Sequence, residues 1–567
     1  MKAVGFLKAT SFLLIGVGLA FAAISLIADV IGFGTTLSEF GIRQQWALLY
    51  GVLLTGAGII MIVRSSSLWS RLYPNHLMTM IVLIVGFVQF LVGERITSND
   101  GLGFDGDGLA LIVQNFPTLV FVKGLDTYYL QRTLPLGIIH YTFGVFHISF
   151  TNENIIRGFQ IYNLALIVLV AHVWGQITDI MKFSVQGKWL AFVGLFVNFA
   201  ILKFYFYYPV LIDQSAFALG ALMLYFFLKS KPWGVLIVSI LGAFTWPTML
   251  NLGLLLFIFR QPDTAGLTDY HPMPVKRELI VFIALFICHF GVLAFVNLLF
   301  FEGSTAQLDK KDISVVTLPL SIVVSLSSVF FLAKTFFNDN RLFDIKWMLN
   351  TLDRKNLSIA AIVLIVVRIA IGYVGVPGGL GDSTVALLNN LLKFSIARPG
   401  VFLVSHVVFF GPLVLLALLL WKPFCQLIQQ YGPGLTLFFF VSLMFGIANS
   451  ESRHLINILP FWVVFTVKVS EKLSWRAFHY WLIFITCFLF SKIWLLINVE
   501  PLTGNFTDFP WQYYFMNFGP WMSAQMYVAQ GSVILMIGIL YYFLLPLGRP
   551  TKNALEQGPP ESVVGSA

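Results

Sequence analysis

Apolar runs of bilayer length follow one another along almost the whole chain, and they leave few folds open to it. A helix needs about 20 apolar residues to cross the hydrocarbon core of a membrane. Such runs lie near 9–33, 46–64, 77–94, 157–176, 188–204, 211–229, 278–301, 314–335 and 357–376, then near 400–421, 433–449, 455–470, 478–497 and 527–546, with a broken stretch over 233–260. They are too closely spaced to leave room for a separate soluble domain. Only 11% of residues are charged, against about a quarter in soluble domains. The expected fold class is an all-α integral membrane protein, a polytopic helical bundle of about 14–16 spans. It covers 1–546, and the Gly- and Pro-containing segment 547–567 reads as a disordered cytoplasmic tail.

Lys and Arg in short loops set orientation, because such loops stay on the cytoplasmic side. Arg64 with Arg71, Lys182 with Lys188, Lys229 with Lys231, and Lys468 with Lys472 and Arg476 are expected inside, as are both termini. The first run lacks a small-residue cleavage site and reads as a retained helix. Because each span changes sides, Leu134–Phe150 cannot cross without reversing every later basic loop; it is expected to lie at the outer interface. The stretch Trp233–Arg260 must cross twice or dip and return, with Thr245-Trp246-Pro247-Thr248 as its break. The net charge of +9 is thereby accounted for without nucleic acid. Cys288, Cys425 and Cys487 lie in apolar runs without the spacing of a disulfide framework or zinc site. No repeat of fixed period is visible, which weighs against the inverted-repeat transporters.

The polar residues that remain concentrate on the expected outer face. The long loop 95–156 carries Ser98-Asn99-Asp100-Gly101-Leu102-Gly103-Phe104-Asp105-Gly106-Asp107-Gly108. Carboxylates at a bilayer edge bind cations, accept protons or are merely solvated. Tyr128-Tyr129-Leu130-Gln131-Arg132 then leads into the interfacial helix, where Arg132 either reaches the headgroups or pairs with the acidic loop. Arg368 falls in mid-span, where an ionised side chain is costly and marks a functional position by default; Asp382 is a candidate partner. Arg453, in Glu451-Ser452-Arg453-His454, either pairs with Glu451 or binds an anion. His140, His147, His172, His289 and His406 lack metal-site spacing and read as packing residues, whereas His454 adjoins Arg453.

Phe104-Asp105-Gly106 and Gln131-Arg132-Thr133-Leu134-Pro135 together resemble the GT-C superfamily, membrane glycosyltransferases that use polyprenyl-phosphate-linked sugars. The likeness is firm over 100–165. It extends more loosely to Tyr162-Asn163, to Tyr208-Pro209 with Asp213, and to Glu451–His454 through Leu459-Pro460. The resemblance implies an inverting transfer at the outer face of a bacterial plasma membrane. Its donor would be a polyprenyl-phosphate sugar and its acceptor a glycan, lipid or protein. Asp105 would be the general base, with Asp107 in reserve. Arg132, Arg368, Arg453 and His454 join Asp107 as candidate substrate contacts, the arginines stabilising the departing phosphate. Asp105-Gly106-Asp107 has the form of a metal-binding Asp-x-Asp, although relatives with monophosphate carriers generally use none, so no cofactor is firmly expected. The alternatives are a transporter or lipid flippase, and a polysaccharide polymerase or ligase of another fold.

Overall fold

Helices form where the apolar runs lie, but their lengths are set by breaks inside the runs. The computed structural model describes residues 74–259, 317–336, 349–376, 395–497, 519 and 522–547, and the isolated positions 16, 18, 51 and 56. The first described helices are α1 (Asn75–Val92), α2 (Gly106–Gln114), α3 (Thr127–Leu130), α4 (Thr133–Val145), α5 (Asn152–Ile180), α6 (Val185–Phe196), α7 (Asp213–Leu228), α8 (Pro232–Ala243) and α9 (Met249–Ile258). They are followed by α10 (Leu318–Phe336), α11 (Arg354–Val374), α12 (Val401–Phe410), α13 (Leu413–Leu419), α14 (Trp421–Gln430), α15 (Pro433–Ala448), α16 (Leu459–Ser470), α17 (Ala477–Ser491) and α18 (Ala524–Leu544). Among the described residues the only sheet is a parallel pair of two-residue strands, β1 (Leu125–Asp126) and β2 (Gly375–Val376).

The protein is therefore an all-α membrane protein. Five described helices, α1, α5, α10, α11 and α18, are long and apolar enough to cross a membrane, and up to seven spans result if each bent pair counts as one. Apart from those isolated positions, the expected spans at 9–33, 46–64 and 278–301 lie outside the described residues, as do Asp382 and the tail from 548 onward.

Two expected spans prove to be interrupted. The run 400–421 stops at Gly411, whose φ of +84° suits glycine, and Pro412 supplies no N–H to continue the ladder. Beyond it α13 and α14 lie at 86° to each other. The run 188–204 bends by 56° between α6 and Ala200–Tyr207. There the Asn198 side chain enters the ladder, donating to the Leu195 carbonyl at 2.9 Å and accepting the Ile201 N–H at 3.0 Å. The pair α8 and α9 turns at Phe244–Thr248 and packs on itself. Their 12 and 10 residues reach about 18 and 15 Å, against a hydrocarbon core of about 30 Å. Each is shorter than a full crossing. Helix α4, with 13 residues, is likewise about 20 Å long.

α1 lies along α5, α5 along α7, and α16 against α6 and α7. α7 and α16 are buried on nearly every side, as helices apolar all round must be. Gly220 lets α7 approach the segment before α16, because a Cβ there would stand 2.1 Å from the Asn457 carbonyl. Two ends result. At one, Arg95 pairs with Glu153 at 3.2 Å, and the segments 95–132, 205–213, 244–248 and 449–458 gather. At the other, Asp179 meets Asn75 and Lys188.

Candidate functional site

The site grows from the interrupted ends of four elements. Asp105 stands at the N-cap of α2, and Arg132 precedes α4. Trp246 lies in the turn between α8 and α9, while Glu451, Arg453 and His454 follow α15. Arg453 is the centre. Its Nη2 donates to Asp105 Oδ2 at 3.0 Å and its Nε donates to Glu451 Oε1, so one planar guanidinium joins two carboxylates 346 positions apart in sequence, a geometry suited to arginine's fixed fork. The Glu451 and Arg453 side chains are 9% and 16% exposed, whereas Asp105 is 36% exposed and is the member that reaches solvent.

Arg132, 4% exposed, stacks its guanidinium 3.6 Å from the Tyr128 ring centre and 5.7 Å from that of Trp246, a favourable cation–π arrangement. Its Nε is buried without a hydrogen-bond partner. An unsatisfied buried donor on a cation is costly and suits a ligand that supplies an acceptor.

Charge balance follows from these positions. Burial pushes the Asp105 and Glu451 carboxyls up, but Arg453 outweighs it at both, helped by Arg132 at Asp105 and by His454 at each, so both lie below their ordinary values. Burial lowers His454 to about 4, with Arg453 and Arg132 adding to the effect. The imidazole is neutral, and its Nδ1 accepts the Asn449 Nδ2–H at 2.9 Å. Trp246 Nε1 donates to the His454 carbonyl at 3.2 Å.

An apolar groove of about 870 Å³ is lined by Leu130, Thr133 and Leu134, which flank Arg132 in sequence, and runs along α4 past Tyr141 between α8 and the Ala370 and Val374 face of α11. Its rim carries exposed Phe121, Val145 and Phe146. The β1–β2 pair fastens the strand before Arg132 to the end of α11.

The structure thus brings Asp105, Arg132, Arg453 and His454 together and leaves two expected members out. Arg368 is exposed on α11, a helix whose buried residues are Ala360, Val367 and Ile371. The residue is adjacent to Val367 in sequence but about 100° away around the axis, and it takes no part in the Arg453 pairings. Asp107 is exposed in the first turn of α2. Since Asp105 already has helical φ and ψ, positions 105 and 107 diverge as i and i+2 always do on a helix, and they do not converge as metal ligands. Among the described residues no group of three His, Cys, Asp or Glu side chains forms a metal site.

Sequence reasoning gave no site role to Tyr208, named only in the looser part of the resemblance, or to Trp246, named only in a helix break. Tyr208 Oη accepts the Asp105 N–H at 2.7 Å and the Gly106 N–H at 3.3 Å. The signal for Trp246 was its place in a helix break, and for Tyr208 an aromatic beside Pro209 in a short turn. No protein-family model, curated protein or solved structure matches the chain.

Proposed function

We propose that the protein is an inverting glycosyltransferase of GT-C type, moving a sugar from a polyprenyl-phosphate carrier to a hydroxyl acceptor at the outer membrane face. The observation that carries this reading is the unpartnered Nε of buried Arg132, close enough to Asp105 to lower its pKa, in a segment whose Leu130, Thr133 and Leu134 line the apolar groove. An anionic head on a long apolar tail fits that combination.

A tail leaving the bilayer for the groove gains little hydrophobic energy, because lipid tails are as apolar as the groove wall. The groove orients, and the arginines discriminate. The carrier phosphate takes the open Arg132 donor and competes with Asp105 for Arg453. A carboxylate released from its cation regains basicity. The acceptor oxygen then attacks the anomeric carbon from the face opposite the phosphate. The bond from that carbon to the phosphate oxygen breaks, its electron pair leaves with the phosphate, and the acceptor proton passes to Asp105. Arg132 and Arg453 stabilise the charge that grows on the leaving oxygen. The reading includes an architecture of about 14–16 spans in a bacterial plasma membrane, both termini cytoplasmic.

The test is transfer of labelled sugar from a polyprenyl-phosphate donor by protein reconstituted in liposomes. Asp105→Asn is expected to lower the rate about 10²–10⁴-fold, the range of a general base; a folded variant with undiminished transfer overturns the assignment. A lipid flippase would use the same groove, and the broken α8–α9 pair is a feature such proteins share. It would move the carrier intact, so release of free polyprenyl phosphate separates the two.

A further inference from the structure

An aspartate at a helix N-cap ordinarily adopts an extended backbone and turns its carboxylate back to accept an N–H of the first turn. Asp105 does neither. Its φ and ψ are −72° and −22°, already helical, and its side chain makes no capping bond. The N–H groups of Asp105 and Gly106, two of the four that a helix start leaves open, go to the Tyr208 hydroxyl instead.

The loop is shaped around that ring. Gly103 has φ +76°, and a Cβ there would fall 2.3–2.6 Å from three Tyr208 atoms, while one at Gly106 would lie 3.6 Å away. Burial and the Asp105 charge raise the Tyr208 pKa, so the hydroxyl stays neutral and the bonds persist over the whole working pH range.

We propose that Tyr208 is a positioning residue: by capping the backbone of α2 in place of Asp105, it keeps the Asp105 carboxylate off its own helix and directed at Arg453. The consequence for catalysis rests on the reading of Asp105 as proton acceptor. The placement itself does not, and it is tested without donor or acceptor.

In Asp105→Cys, reaction with a membrane-impermeant anionic thiosulfonate reads the position, with the unsubstituted protein as blank. The thiolate is the reactive form, and a neighbouring arginine lowers its pKa, so the rate–pH midpoint is expected below the ordinary thiol value of about 8.5. Adding Tyr208→Phe keeps the ring on which Gly103 packs and removes only the capping oxygen. The midpoint is then expected to move up toward the ordinary value, and the rate at neutral pH to fall about tenfold, the change in thiolate fraction for one pKa unit. Gly103→Ala, which drives a methyl into the ring, should produce the same shift with the oxygen retained. A midpoint and rate unchanged by Tyr208→Phe overturn the proposal. Should the midpoint shift while Asp105→Asn leaves sugar transfer intact, the capping role stands and the general-base reading falls.

Discussion

Both ends of the bundle hold ionic clusters, and they are built differently. At one, Asp179 accepts from Asn75 at 2.6 Å and pairs with Lys188, which also donates to Asn75 Oδ1 at 3.3 Å. Nearby Glu471 takes the Ser184 N–H and O–H, both at 2.7 Å, and Lys468 donates to the Met181 carbonyl at 2.8 Å. These bonds tie the α5–α6 turn to α1 and α16, and Asp179 is 53% exposed. At the other end one arginine is divided between two carboxylates, a second keeps a buried donor open, and an apolar groove leads away. The first cluster is complete and closes a turn. The second gathers two arginines with Asp105 and Glu451 and leaves the Arg132 Nε without a hydrogen-bond partner, which suits the anionic ligand proposed above.

The contrast can be broken most directly at Arg453. Arg453→Leu leaves Glu451 and Asp105 facing each other without their cation, and a buried pair stripped of one partner costs about 3–5 kcal/mol. A large fall in melting temperature in detergent, together with loss of transfer, is expected; a small one would make this cluster no different from the other. Arg132→Ala is expected to weaken binding of farnesyl phosphate by about 1.5–3 kcal/mol, the range for a hydrogen bond to a charged group, and to leave farnesol binding unchanged. Equal losses for the two ligands would remove Arg132 from the phosphate.

Acid sharpens the comparison further. His454 is neutral in the fold with a pKa near 4, against 6.5 ordinarily. The unfolded chain therefore takes the proton first, and stability falls as pH drops from about 6.5 toward 4. Asp105 and Glu451, held below 3.8 and 4.5, contribute stability above those values that is lost as pH falls through their lower folded values. Melting temperature against pH should decline in two stages, and His454→Gln should abolish the upper one. The smallest effect belongs to the opposite end, where Asp179→Asn is expected to cost under about 1 kcal/mol, as exposed pairs do.

Asp105, Arg132, Arg453 and His454 were legible because each sat in a short polar motif beside an apolar run, and alternation of sides placed the motifs on one face. The break at Thr245–Thr248 was legible from proline. What a linear reading lacks is direction around an axis. Arg368 was assigned from its depth in a span, which says nothing of which face it occupies, and Asp107 from a spacing that holds a metal only when the backbone is not helical. The Tyr208 contact spans 103 positions and depends on two glycines yielding room for a ring; no local pattern reports such a fit.

The groove along α4, with Phe121, Val145 and Phe146 at its rim, also fixes the units in which occupancy should be counted. A guest that arrives sideways from the leaflet is governed by its mole fraction among the surrounding lipids rather than by its molarity in water. Adding inert lipid or detergent at constant bulk concentration should then empty the site by surface dilution, while a soluble phosphate competing only for the arginines would be indifferent to it.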